Sequence, residues 1–196
     1  MRLLRPLPRA VTRPLSLLIL VAWAGTMAAL VKRTYLEMTA PADLRPARRA
    51  DHDARVERVE GSPASFYRYL YAEVGRAYRW TDRLAWTDDE IRVHLASPAV
   101  SLWLLTVRAA PAGYFELKSA PDGSVEIAYF GLLPEFIGRG YGKHLLTEAV
   151  ERAWSLGARR VWLHTCSLDD PAALPNYLSR GFRPFHEETY SVTGPS

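Results

Sequence analysis

Glycine recurs at every second position in Ile137-Gly138-Arg139-Gly140-Tyr141-Gly142. A run with strand character, 124–133, precedes this stretch, and a run with helical periodicity, 143–156, follows it. Alternate glycines at a strand-to-helix turn allow a sharp bend and bring the backbone close to a ligand with no Cβ in the way. The first amides of the helix lack intrahelical acceptors and sit at the positive end of its dipole. Amides placed in that way bind phosphate or diphosphate. Gly138, Arg139, Gly140, Tyr141, Gly142 and Lys143 are therefore the candidate anion-binding residues.

Two other phosphate loops do not fit the stretch. No Gly-Lys-Ser/Thr ending follows, so hydrolysis of a magnesium nucleotide on a P-loop is unsupported. A dinucleotide fingerprint needs G-x-G-x-x-G after a first strand and an acid about 20 residues on. Here the third glycine is followed by Lys143 and His144, and Asp169 stands too far along the chain for a ribose contact.

The elements that must position this turn can be traced along the chain. A strand is expected over 34–38, then an irregular Pro/Arg/Ala-rich connection over 40–53 and either a short strand or a lead-in over 56–59. Ser62-Pro63 fits an N-cap and first helical position, with Phe66, Leu70 and Val74 on one face beyond it. Trp-Thr-Asp then occurs twice, at Trp80 and at Trp86. In the second copy Thr87 and Glu90 form a capping box for a helix to Leu95. The first copy has no such structural explanation. Strands follow over 100–108 and 113–118, and Asp122-Gly123 signals a hairpin to the strand 124–133. If those two residues form the turn, Pro121 pairs with Ser124 and Glu116 faces Tyr129. Glu116 and Glu126 then lie on opposite faces unless a bulge intervenes.

The helix 143–156 buries Leu145, Leu146, Ala149, Val150 and Ala153 and ends at Gly157. A strand over 160–166 carries His164 and Cys166 on opposite sides of Thr165, so the two share a face. With no further His/Cys cluster nearby they do not read as a metal site, and Cys166 reads as a small core residue. Asp170 caps a last helix with Pro171 at its first position, Pro175 disturbs it early, and Gly181 closes it. A strand over 183–192 finishes the chain.

Three of these stretches together resemble the GCN5-related N-acetyltransferase (GNAT) superfamily. The turn is similar to its acetyl-CoA loop, Q/R-x-x-G-x-G/A, with Ile137 at the Gln/Arg position and Gly140 and Gly142 as the two required glycines. Glu126-Ile127-Ala128-Tyr129-Phe130 resembles the family's fourth strand. The run 170–182 resembles its late helix, N-x-x-A-x-x-x-Y-x-x-x-G-F, with Asp170 replacing the Asn and Ala173, Tyr177, Gly181 and Phe182 in place. The resemblance covers roughly residues 56–190. It implies an α/β (α+β) fold: a mixed, mostly antiparallel twisted sheet of six to seven strands flanked by about four helices.

The resemblance also implies an N-acetyltransferase that uses acetyl-CoA as co-substrate and no metal. The acceptor would be a primary amine, on a small molecule or a peptide, that attacks directly. Amides of 138–143 would hold the diphosphate, and backbone groups at Phe130 and Leu132 would hold the pantetheine arm and polarise the thioester carbonyl. Glu126 falls where protein-acetylating members carry a glutamate base, and its apolar neighbours Val125 and Ile127 would raise its pKa. Glu116 is its competitor. Tyr177 takes the family's general-acid position. Tyr67, Tyr71, Trp80 and Asp82 would line the acceptor site, an aromatic wall with one carboxylate suited to a cationic amine. His144 reads as a surface residue. The alternative is a GNAT-fold module that binds acyl-CoA without catalysis. Monomer and homodimer are both compatible.

The chain of 196 residues suits one domain, and its hydrophobic share of 48% argues against disorder. Its net charge of +4 belongs to residues 1–33, which hold Arg2, Arg5, Arg9, Arg13, Lys32 and Arg33 and no acid. The remainder is net acidic, so there is no electrostatic case for a nucleic-acid partner. One cysteine fits a reducing, cytoplasmic compartment. Residues 1–33 read as a basic and apolar extension before a single domain at 34–196. The run 15–31 is at the lower limit of a spanning helix. It reads as sequence upstream of a start at Met27, as an inner-membrane anchor with a cytoplasmic domain, or as a secretory leader.

Overall fold

The computed structural model describes residues 29–50 and 53–192. Seven strands form a single sheet: β1 (Ala29–Met38), β2 (Ala54–Arg58), β3 (Val100–Val107), β4 (Ala110–Ser119), β5 (Ser124–Leu132), β6 (Arg160–Cys166) and β7 (Arg183–Val192). Their order across the sheet is β2-β3-β4-β5-β6-β1-β7. All neighbours run antiparallel except β5 and β6. Helices α1 (Ala64–Gly75) and α2 (Asp88–Ala96) cover one face, and α3 (Tyr141–Ser155) and α4 (Ala173–Ser179) cover the other. The mixed α/β sheet with four helices is the fold expected.

Alternation along the strands sorts the core into two layers. Phe115, Leu117, Val125, Ile127, Val161 and Leu163 pack with Leu145, Leu146, Ala149 and Val150 of α3. Tyr114 and Leu102, on the other face, pack with Tyr67, Leu70, Val74 and Ile91 of α1 and α2. The capping box at Thr87 forms as expected: Thr87 Oγ1 accepts from the Glu90 amide at 3.2 Å, and Glu90 accepts from the Thr87 amide at 2.6 Å.

β1 departs from expectation in length. It starts at Ala29 rather than at residue 34 and lies between β6 and β7, pairing Tyr35 with His164 on one side and His186 on the other. Val31 and Leu36 are fully buried, so the end of the apolar run 15–31 belongs to a strand of the sheet. The rest of that run lies outside the described residues. Among the described residues, no helix is long and apolar enough to cross a membrane.

Three local expectations are corrected. The β4–β5 hairpin turns on three residues, because Ala120 rather than Pro121 pairs with Ser124. A bulge then shifts the register between Glu116↔Tyr129 and Leu117↔Ile127. Ser62 does not cap α1, whose N-cap is Pro63, since the Ser62 hydroxyl donates to the Pro63 carbonyl instead. Asp170 does not cap α4 either. Its carboxylate closes the preceding turn by accepting from the Ala172 amide at 2.8 Å, and the N-cap is Ala172.

Candidate active site

The ladder between β5 and β6 holds only from Ser124↔Arg160 to Glu126↔Trp162. Beyond that pair the strands part, and a cleft of about 910 Å³ opens between them. A parallel pair that separates leaves strand-edge N–H and C=O groups facing the gap, and these need partners. The cleft is thus lined by β5 backbone from Ile127 to Leu132, by His164 and Cys166 of β6, and by the opening of α3.

Its floor is the glycine turn. Gly138 (φ 76°) and Gly140 (φ 80°) both take the left-handed backbone, and Gly140 is the N-cap of α3. A Cβ at Gly138 would meet nothing within 4 Å, so the chain is left-handed there beside open space. A Cβ at Gly142 would touch the Leu132 and Asn176 side chains, at 3.8 and 3.9 Å. Ile137, Gly138, Gly140, Gly142 and Lys143 line the cavity. Arg139 and Tyr141 do not. Tyr141 is 6% exposed in the core beneath, and Arg49 lies 4.4 Å above its ring while donating to the Arg139 carbonyl. The helix start, left-handed glycines and open space suit a diphosphate held by main-chain amides.

Phe130, Leu132 and Tyr177 also line the cleft, with the Phe130 and Tyr177 rings edge to face at 6.0 Å. Burial, and the nearby Asp169, push the Tyr177 phenol above the ordinary tyrosine range. Asn176 joins the lining from the same helix. The sequence reading missed it, although it immediately precedes Tyr177.

The opposite wall comes from the α1–α2 connection. Trp80, Thr81 and Asp82 line it together with Tyr129 of β5, whose hydroxyl donates to Asp82 at 3.2 Å. Trp80 packs edge to face on Tyr129 at 5.0 Å and rests on Gly75, where any Cβ would lie 2.5 Å from the Trp80 Cβ. Tyr67 and Tyr71 are 1% exposed and stand behind this wall, not on it. The Tyr71 hydroxyl accepts from the Arg83 amide at 3.2 Å, and that of Tyr67 donates to Glu116 at 2.9 Å. Tyr78 bridges the walls by donating to Asp170 at 3.1 Å.

Glu116 is fully buried. Arg83 donates to both its oxygens, at 2.8 and 3.1 Å, and His94 Nε2 lies 3.0 Å from one of them. The Arg83 guanidinium also sits 4.2 Å from the Tyr129 ring and 4.7 Å from the Trp86 ring. With four contacts from three residues, Tyr67, Arg83 and His94, on a dry carboxylate, Glu116 is a structural anchor for the wall. Glu126 is different. It is the last β5 residue paired to β6, and its side chain is 19% exposed. Burial raises its carboxyl above the ordinary range, with Lys118 opposing and Glu116 adding to the rise. Its Oε1 lies 3.9 Å from His164 Nδ1, and it does not itself line the cleft.

Burial pushes the Cys166 thiol up, which disfavours a nucleophilic thiolate. Among the described residues, no three His, Cys, Asp or Glu side chains gather as a metal site.

Comparison with known proteins returns a family model described as Acetyltransferase (GNAT) family over residues 66–182. No curated protein matches the chain in sequence. Among solved structures, a GCN5-related N-acetyltransferase from Kribbella flavida shares 22% identity and a TM-score of 0.59, over 84% of this chain and 58% of that one. A conserved protein of unknown function from Staphylococcus epidermidis shares 20% identity and a TM-score of 0.60, over 84% and 62%. An acetyltransferase from Bacillus subtilis in complex with CoA shares 22% identity and a TM-score of 0.52, over 66% and 76%. The chain thus spans about three fifths of the first two structures, and the likeness at these identities is one of fold.

Proposed function

We propose, because the chain belongs to the acetyltransferase (GNAT) family, that it transfers an acetyl group from acetyl-CoA to a primary amine by direct attack. The observation that carries this reading is the left-handed glycine pair opening α3 at the floor of a cleft between parted parallel strands. Amides from Gly138 to Lys143 would hold the diphosphate, and the β5 edge at Phe130 and Leu132 would hold the pantetheine arm. When bound, the thioester supplies an activated carbonyl. Hydrogen bonds from the β5 edge would stabilise charge developing on its oxygen.

Glu126 would serve proton removal from the acceptor's ammonium, directly or through a neighbouring group, burial having raised its carboxyl toward what a base requires. Tyr177 would return a proton to the departing sulfur. Its raised pKa keeps the phenol protonated, the form a general acid needs, and breaking of the C–S bond would drive the transfer. Trp80, Tyr129 and Asp82 would receive the acceptor, two aromatic faces and a carboxylate suiting a cationic amine. Tyr67 and Tyr71 would support that wall from behind.

Thiol release from acetyl-CoA with a panel of small amines, amino sugars and lysine peptides tests the reading. Glu126→Gln and Tyr177→Phe are each expected to lower kcat by about 100-fold with coenzyme affinity unchanged. Asp82→Ala is expected to raise the amine KM, and an unchanged KM removes Asp82 from the acceptor site. Coenzyme binding without turnover of any amine would favour a non-catalytic acyl-CoA-binding module.

A further inference from the structure

Glu126 meets the cleft through a neighbour. Glu126 and Trp162 are register partners and share a face of the sheet. His164, two residues on, lies on that same face and is the first such residue of β6 beyond the parting. Its side chain is 37% exposed and lines the cleft, whereas that of Glu126 does not. The 3.9 Å between His164 Nδ1 and Glu126 Oε1 is too long for a direct hydrogen bond, and a small rotation of either side chain would close it. On β1, the register partner of His164 is Tyr35, whose ring packs 5.7 Å away and limits where the imidazole can turn.

We propose that His164 takes the proton from the acceptor amine, and that Glu126 acts through it as the positioning carboxylate. This deepens, and rests on, the acetyl-transfer reading. In the neutral imidazole, Nδ1–H points to Glu126 and leaves the Nε2 lone pair to the cleft. Nε2 takes one proton from the ammonium, freeing the nitrogen lone pair for the new C–N bond. The Glu126 carboxylate offsets the charge of the imidazolium. As the C–S bond breaks, the Tyr177 hydroxyl gives its proton to sulfur. The phenolate so formed takes the second proton from the acylated nitrogen, and His164 releases its proton to solvent.

Burial and Arg33 hold the imidazole below the ordinary histidine range, so it is neutral near pH 7, as the step requires. The charged and titratable groups around it are Arg33 and Tyr35 of β1, Glu126 of β5, Asp82 of the wall and Asp169 after β6. Glu188 of β7 adds its charge, and His186 of the same strand packs on the far side of Tyr35.

The test is nitrogen-15 NMR of the imidazole in the full chain with coenzyme A bound, together with thiol-release kinetics. The neutral ring is expected to carry its proton on Nδ1, and Glu126→Gln to move it toward Nε2. His164→Gln is expected to lower kcat/KM about 100-fold and to remove the acid limb of the pH profile, with coenzyme affinity unchanged. Added imidazole is expected to rescue part of the activity of His164→Ala. A proton on Nε2 in the wild type, or a His164→Gln rate within about threefold of wild type with the same profile, would overturn the assignment. Absence of coenzyme binding by the wild type is a separate failure, that of the acetyl-transfer reading itself.

Discussion

Glu116 and Glu126 share one face of the sheet because the three-residue turn sets Lys118 opposite Glu126, and a bulge in β5 brings Tyr129 to that same face. Near the turn, Lys118 pairs with Glu126, and one step further Leu117 pairs with Ile127. The next pair is Glu116 with Tyr129, so Ala128 is the extra residue. Without it, Glu126 and Tyr129 would face opposite ways. With it, the buried carboxylate, the carboxylate beside the cleft and the phenol of the cleft wall stand on one side.

Removing the buried member of that group should cost stability rather than coenzyme binding. Glu116→Ala leaves the Arg83 guanidinium without its carboxylate, at about 3–5 kcal/mol. At roughly 2–4 °C per kcal/mol, the Tm should fall by about 10 °C, with coenzyme A affinity unchanged. A melting temperature within about 2 °C of wild type contradicts the anchor role.

Glu126 should behave in the opposite sense. Its folded-state pKa is raised by burial, so the folded state tolerates the protonated form better than the ionised one. The stability it contributes is full below the ordinary carboxylate pKa and is lost as pH rises through the folded value. Glu126→Gln, always neutral, should melt with the wild type near pH 4 and above it near pH 8. A Tm difference that is negative, or the same at both pH values, contradicts a desolvated carboxylate.

Two glycines of similar backbone separate strain from function. Gly140 (φ 80°) and Gly157 (φ 82°) lie at opposite ends of α3, and neither would crowd an added Cβ closer than 3.5 Å. Alanine at either should cost about 1–2 kcal/mol in a left-handed conformation. Only Gly140→Ala should also weaken coenzyme A, by tenfold or more, since only Gly140 lines the cleft. Equal affinities in the two variants would contradict the role of the turn.

Shortening the chain tests the place of β1. A version beginning at Ala29 keeps the whole strand, whereas one beginning at Thr34 loses its first five residues, among them the fully buried Val31. Burial of such a side chain is worth about 1.5–3 kcal/mol, so the shorter version should melt lower by several degrees. Equal melting curves would contradict the pairing of Ala29 through Arg33 with β7.

What could be read from the chain was local. The strand, turn and helix around Gly140, the capping box at Thr87 and the C-terminal glycine of α3 each declare themselves within a few residues. The place of β1 does not, because it depends on pairing with strands at the far end of the chain. The bulge at Ala128 was visible only as a condition on the facing of two glutamates, since a three-residue turn and a two-residue turn share the Asp122-Gly123 signal. Aromatic character placed Tyr67 and Tyr71, each with a hydroxyl, on the acceptor wall. In the fold those hydroxyls are taken up by Glu116 and the Arg83 backbone. Arg83 gave no signal beyond the unexplained first Trp-Thr-Asp, and His164 none beyond sharing a face with Cys166.

The most direct test of the account is titration calorimetry of the folded chain with coenzyme A and, separately, with pantetheine, which lacks the diphosphate. One coenzyme A site per chain is expected, with pantetheine at least tenfold weaker because the amides of 138–143 then have nothing to hold. No heat from coenzyme A on well-folded protein, or equal affinity for the two compounds, would contradict it.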